Sequence, residues 1–273
     1  MKLTDIQPKN DEQEMALRNC IFFCRTGSQL YGTSTPESDD DFTGIFVPDR
    51  DYVIGKKKAL TPAGNPSGDT LEQIEFNTNP STSRKRNTKD DVDCMLFSLD
   101  KWTTMCANNN PNRLEVFFAP KNCILHMTEL GGRLFAARDN FISLDSYNSF
   151  KGYSHEQMRR LKLKSGNNNG RQDLIEKYGY DVKMASHNIR LYMECIQLLK
   201  QGSIEFPLSE SGFILDMKRG KVTYEEFIAK SEQLAALCDA VYANSKLPAH
   251  PNLDAINKLQ ISIYEDFWGA KYN

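Results

Sequence analysis

The sequence predicts an α+β fold, and three observations carry that prediction. Apolar runs at 21–24, 42–47 and 92–97 have the length and composition of short buried strands. From Gly131 onward the apolar residues recur instead at helical spacing. The length of 273 residues suffices for one large core or two modest ones. The division expected is 1–130 for the strand-bearing part and 131–273 for a helical part.

Taken in order, residues 11–18 read as a first helix running into the strand 21–24. The second strand, 42–47, ends at Pro48, and Asp49-Arg50-Asp51 reads as a turn before a short segment at 52–54. Residues 55–90 are a polar insertion with the basic clusters Lys56-Lys57-Lys58 and Arg84-Lys85-Arg86, and 71–76 alternates well enough to be a strand within it. After the strand at 92–97, Ser98 is placed to cap a helix through Cys106, with Asp100 in its first turn. Asn108-Asn109-Asn110 breaks that helix, and Pro111 opens the next, whose apolar face runs over 114–118 and carries Glu115. Further helices are expected at 134–141 and 147–163, with a turn at Asn167-Asn168-Asn169-Gly170. A long helix spans 181–200, closed by Gly202. A capping box at Thr223-Tyr224-Glu225-Glu226 starts another, and a last helix covers 253–268 after a linker at 247–251. The chain shows no internal repeat.

The informative stretch is Gly27-Ser28-Gln29-Leu30-Tyr31-Gly32-Thr33-Ser34-Thr35-Pro36-Glu37-Ser38-Asp39-Asp40-Asp41-Phe42-Thr43-Gly44, which lies between the first two strands. Side chains of a strand alternate between faces, so Asp39 and Asp41 project together while Asp40 points away. Two neighbouring carboxylates repel unless a cation lies between them, and a half-shell of hard oxygen donors suits Mg²⁺. Gly27 allows close backbone approach to a ligand, and Ser28 offers an N–H and a hydroxyl to a phosphate. An EF-hand starting at Asp39 is excluded, because its twelfth residue is Arg50 where a bidentate Glu is required.

This string, Gly-Ser-x-x-Tyr-Gly-Thr-x-Thr-Pro-x-Ser-Asp-x-Asp-x-x-Gly, resembles the active-site signature of the DNA polymerase β-like nucleotidyltransferases. The fuller string is closer to one branch of them, the YcgL/RlaP-like predicted nucleotidyltransferases, some associated with RNA ligases and RNA repair. The resemblance implies a palm-like mixed sheet with flanking helices, followed by a C-terminal helical domain. It also implies a third carboxylate on an adjacent strand, where Asp93-Cys94-Met95-Leu96-Phe97-Ser98-Leu99 is similar to the family's Asp-x-x-x-aromatic-x-Leu. Asp91 lies two residues away on the same face and is its rival. In the helical part, Lys183-x-Ala185-x-His187-x-x-Arg190-Leu191 resembles a family segment that places three cationic or polar groups on one helix face. Arg159-Arg160 is a weaker addition.

The implied catalytic and metal-binding residues are therefore Asp39, Asp41 and Asp93, holding two Mg²⁺ ions, with Mn²⁺ as a substitute. The implied nucleotide-binding residues are Gly27, Ser28, Lys183, His187 and Arg190. The implied reaction transfers a nucleotide from an NTP, ATP among them, to a hydroxyl and releases pyrophosphate. An RNA end, such as that of a tRNA, is the first acceptor to consider. A protein or small-molecule hydroxyl, as in toxin-type relatives, and a non-catalytic nucleotide or RNA binder are the alternatives.

Composition narrows the partners. With 34 basic and 36 acidic residues the net charge is −2, so contact with nucleic acid requires a local patch. Seven cysteines without a Cys-x-x-Cys pair indicate reduced thiols. The first residues form no apolar leader, and no run approaches the length of a membrane span. A cytoplasmic protein with no membrane partner is the expectation.

Overall fold

The structure is a computed structural model that describes residues 2–60, 69–78, 87–162 and 172–272. The basic triplet at 84–86 and the turn at 167–170 lie outside the described residues. Five strands form one mixed sheet: β1 (Cys20–Arg25), β2 (Asp40–Phe46), β3 (Gln73–Glu75), β4 (Val92–Ser98) and β5 (Ile124–Met127). Their order across the sheet is β3-β4-β2-β1-β5. β2 is antiparallel to β1 and parallel to β4, which places the two carboxylate-bearing strands side by side.

The helices in the first half are α1 (Asp11–Arg18), α2 (Gly27–Tyr31), α3 (Arg50–Val53), α4 (Leu99–Ala107), α5 (Pro111–Leu114) and α6 (Glu129–Ala136). Those that follow are α7 (Asp145–Lys162), α8 (Gln172–Tyr178), α9 (Val182–Gln201), α10 (Ser211–Lys218), α11 (Tyr224–Tyr242) and α12 (Leu253–Tyr272). Local chemistry explains their ends. Asn10, Ser98, Thr128, Asp181 and Thr223 each accept a backbone N–H of the first turn, which satisfies a donor that has no partner within its helix. Thr223 and Glu226 complete the expected capping box, and Gly202 closes α9 in the left-handed conformation.

Apolar side chains cover both faces of the sheet. One face packs Phe23, Phe42, Phe46, Ile74 and Leu96 against Met15 and Ala16 of α1. The other joins Ile21, Phe22 and Ile45 to Trp102 of α4 and Phe135 of α6, and continues without a break into Ile189, Leu191 and Leu198 of α9 and Phe227 of α11. The sheet and the later helices therefore share a core. Such continuity holds α9 in a fixed position relative to β2, and that position makes a site between them.

Three details differ from expectation. The strand at 124–127 was not anticipated, because its pattern Ile-Leu-His-Met is short and carries a polar residue. It forms because its backbone adds to the open edge of β1, with His126 Nε2 3.1 Å from the Cys20 carbonyl. The helix expected at 134–141 begins earlier, at the Thr128 cap, and breaks after Ala136 into a single tight turn at Arg138–Asn140. The strand expected at 71–76 is confined to Gln73–Glu75 on the opposite edge.

Candidate active site

The parallel register pairs Asp41 of β2 directly with Asp93 of β4. Neighbouring strands lie about 4.8 Å apart, so paired residues present their side chains to one face as immediate neighbours. Asp39 precedes β2, yet its charge is felt at both of the other carboxyls. Burial, then Asp39 and Asp93, push the Asp41 carboxyl up to about 7, while Lys183 acts in the opposite sense. Asp93 is also raised, first by burial and then by Asp39 and Glu75. Asp40 points elsewhere, with an oxygen 3.9 Å from Arg25 Nε.

Asp91 is engaged differently. Its carboxylate accepts from Thr88 N at 2.8 Å, Thr88 Oγ1 at 2.9 Å and Thr78 Oγ1 at 3.1 Å. These bonds tie the turn before β4 and hold the Asp91 carboxyl below its usual range, the Thr88 backbone contributing most. The two rival acids thus sit in opposite settings. Asp93 shares a wall with Asp41 and Asp39, and Asp91 closes a turn.

Gly27 and Ser28 begin α2 at the end of β1, with Thr26 N donating to the Asp41 carbonyl at 2.9 Å. Gly27 has φ +62°, and a Cβ on it would lie 1.9 Å from Asp41 Oδ2. Both the conformation and the contact demand glycine. The Ser28 hydroxyl oxygen is buried and has no hydrogen-bond partner among the described residues. A buried hydroxyl left unpaired costs about 1–3 kcal/mol, which a ligand oxygen at that position would relieve.

Opposite this wall runs α9. Lys183 is exposed on it and lines the cleft with His187 and Arg190. The expected one-face arrangement of these three is present, but their environments differ. Arg190 is only 5% exposed and forms ion pairs with Glu115 and with Glu194, the latter at 3.1 Å. It also donates to Asn112 Oδ1 at 3.0 Å and to His187 Nδ1 at 2.8 Å. Its guanidinium lies 4.3 Å from the centre of the Tyr31 ring, and Tyr31 in turn donates to Glu115 at 2.7 Å. Arginine has no acceptor, so the His187 Nδ1 lone pair receives that bond and the neutral ring carries its proton on Nε2. Burial drives the Glu194 carboxyl well above its usual range. The expectation that Arg190 offers its charge to a nucleotide therefore meets a guanidinium already held by two glutamates, of which Glu115 also links α9 to Tyr31 of α2.

A second lysine, which the sequence reading missed, completes the cleft. Lys218, the last residue of α10, is half-buried and donates to the Thr33 carbonyl at 2.7 Å. The cleft has a volume of about 2200 Å³ and is bounded by Gly27, Ser28, Asp39 and Asp41 on one side and by Lys183 and Lys218 on another. Its outer reaches include Lys89, Arg159, Lys177 and Lys221. Glu75, on the edge strand β3, is a further acid that bears on Asp93 and was not anticipated. No local pattern marks Lys218 or Glu75, since tertiary packing alone brings them to the carboxylates. Among the described residues, no three His, Cys, Asp or Glu side chains are gathered tightly enough to enclose an ion as they stand. No helix among the described residues is long and apolar enough to cross a membrane.

A family described as "RlaP: RNA repair pathway DNA polymerase beta family" matches residues 2–230. A curated relative, described as an uncharacterized 38.9 kDa protein in the nrdC–mobD intergenic region of Enterobacteria phage T4, is 25% identical and covers 90% of this chain and 95% of its own. Among solved structures, a nucleotidyltransferase-like protein from Exiguobacterium sibiricum aligns over 94% of this chain and 74% of its own, at 10% identity and a TM-score of 0.29.

Proposed function

The chain belongs to the RNA repair pathway DNA polymerase β family, and from that premise we propose that it transfers a nucleotide from an NTP to the hydroxyl of an RNA end. The observation that carries this reading is the pairing of Asp41 with Asp93 across parallel strands, with the Gly27 backbone against Asp41 and the Ser28 hydroxyl unpaired beside it. In this reading 1–130 form the catalytic part and 131–273 the helical part.

The donor set fits divalent ions. Asp39, Asp41 and Asp93 supply hard oxygen donors, and the repulsion among them that, after burial, raises Asp41 and Asp93 is of the kind a bound divalent cation would relieve. Mg²⁺ bound by these residues would neutralise charge on the triphosphate and on the attacking oxygen. The other tasks fall to the protein. Gly27 admits the phosphate chain close to the backbone, and the Ser28 hydroxyl can donate to one of its oxygens. Lys183, exposed across the cleft, balances charge that builds on the leaving pyrophosphate. The Tyr31–Glu115–Arg190 contacts fix α2 against α9, so that the serine and the lysine keep their spacing. The acceptor hydroxyl attacks the α-phosphorus as the bond to the β-phosphate breaks. Most of the rate then comes from positioning and charge neutralisation rather than from a protein acid or base.

The test is to incubate the protein with Mg²⁺, each α-³²P-labelled NTP and total RNA, with Asp41→Asn as the control. Labelled RNA with wild type and none with the variant is the expected result. Label confined to protein or small-molecule fractions would refute the RNA acceptor, and no incorporation anywhere would refute the transferase.

A further inference from the structure

We infer that Lys218 is the second cation of the donor site and, with Lys183, binds the β- and γ-phosphates of the NTP; this rests on the nucleotidyltransferase reading above. Its position makes the argument. Lys218 Nζ donates to the Thr33 carbonyl, and Thr33 N donates to the Ser28 carbonyl at 2.9 Å, so the ammonium is anchored to the same turn that begins at Gly27 and Ser28. The side chain lines the cleft shared by Ser28, Asp39, Asp41 and Lys183.

The charge environment is the second observation. Lys101, Lys151, Lys221 and Lys230 each rest on a carboxylate at 2.6–3.1 Å. Lys218 instead has Thr33 oxygens as its hydrogen-bond partners among the described residues. Burial, and next the neighbouring Lys183, push its ammonium down to about 8, while Asp39 and Asp41 hold it up and Arg190 opposes them. A half-buried ammonium beside another cation, tied only to neutral oxygens, is stabilised by an anion placed between the two lysines. The part of an NTP that carries such charge is its terminal phosphates, and they must lie near Ser28 if the α-phosphorus is to reach the carboxylates. Arg190 is already engaged elsewhere, its buried guanidinium paired with Glu115 and Glu194.

Inorganic tripolyphosphate without metal probes this pair of lysines apart from catalysis. Titration calorimetry on wild type, Lys218→Met, Lys218→Arg and Lys183→Met, with melting temperatures measured in parallel, reads the effect. The expected result is an affinity about ten- to a hundredfold weaker in each methionine variant, the loss typical of a charged hydrogen bond, with most of it restored in Lys218→Arg. Should Lys218→Met melt early, acetylation of wild-type Lys218 with and without tripolyphosphate, followed by mass spectrometry, gives the same answer through protection. Unchanged affinity in Lys218→Met, or no protection, overturns the inference and leaves Lys218 as a tether for Thr33; NTP transfer by wild type would show that the wider reading still holds. Failure of wild type to bind either tripolyphosphate or Mg²⁺-NTP overturns both.

Discussion

Arg190 and Lys183 lie on one face of α9, and substituting each tests whether the first is structural and the second binds nucleotide. Arg190→Met removes ion pairs to Glu115 and Glu194 and bonds to Asn112 and His187, all in a site only 5% exposed. Burial raises the Glu194 carboxyl well above its usual range, with Arg190 acting against that rise. Glu115 is then left as a buried charge without its cation, a change that costs about 3–5 kcal/mol. At roughly 2–4 °C per kcal/mol for a chain of this size, the melting temperature should fall by about 6–20 °C. Adding Glu115→Gln to Arg190→Met should recover part of that loss, because the stranded charge goes with it. Lys183→Met, at an exposed position, should melt within about 0.5 kcal/mol of wild type yet bind Mg²⁺-NTP more weakly. Thermal melts followed by nucleotide titration below each midpoint give both readouts. If Arg190→Met melts with wild type and loses only NTP affinity, the guanidinium serves the phosphates and the structural argument is wrong.

Four further outcomes are expected. Asp39→Asn and Asp41→Asn should each abolish nucleotide transfer with an unchanged circular dichroism spectrum; activity surviving in either sinks the carboxylate assignment. Asp93→Asn should be inactive while Asp91→Asn retains transfer and loses only the stability of the Thr78–Thr88 turn, and the reverse would move the third carboxylate by two residues. Asp41 is raised to about 7 from 3.8, so the native state binds the extra proton between these values and metal-free stability falls as pH rises through that window. The fall should be about 2–4 kcal/mol, measured by urea unfolding from pH 4 to 8, and Asp41→Asn should flatten it. Gly27→Ala should drive its methyl into Asp41 Oδ2 and lose transfer, whereas Gly212→Ala, with nothing within 4 Å, should keep it.

What could be read from the sequence follows from the range of each interaction. The strands at 20–25, 40–46 and 92–98, the Ser98 and Thr223 caps and the Gly202 stop are set by near neighbours, and they stand where local chemistry puts them. The placement of Asp39 and Asp41 beside Gly27 follows from a strand, a turn and a strand, so it too was legible. Glu115 was seen only as a charge on an apolar helix face. Its reason is that Tyr31 and Arg190, 84 and 75 residues away, converge on it. The same blindness explains Arg190. Helical spacing places it with Lys183, but only packing shows that two glutamates reach it first. Lys218 had no marker, since its neighbours come from the turn after α2, from the start of β2 and from α9.

The opposed shifts within the cleft also bear on how a ligand would lie in it. Asp41 and Asp93 are pushed up and Lys218 is pushed down, each chiefly by burial. If the acids and the lysine were direct partners, the acids would be lowered and the lysine raised, as happens for Asp239 and Lys151 at 2.8 Å. The acids and the lysine are therefore not direct partners of one another, although Asp39 and Asp41 still support the Lys218 charge. A metal–nucleotide complex has cations at one edge of the triphosphate and free phosphate oxygens at the other. On the proposed function, such a complex would place its metal edge toward Asp39, Asp41 and Asp93 and its terminal phosphates toward Lys183 and Lys218. In that orientation the α-phosphorus would lie at the carboxylates, and an acceptor would approach past Arg159, Lys177 and Lys221, which also line the cleft.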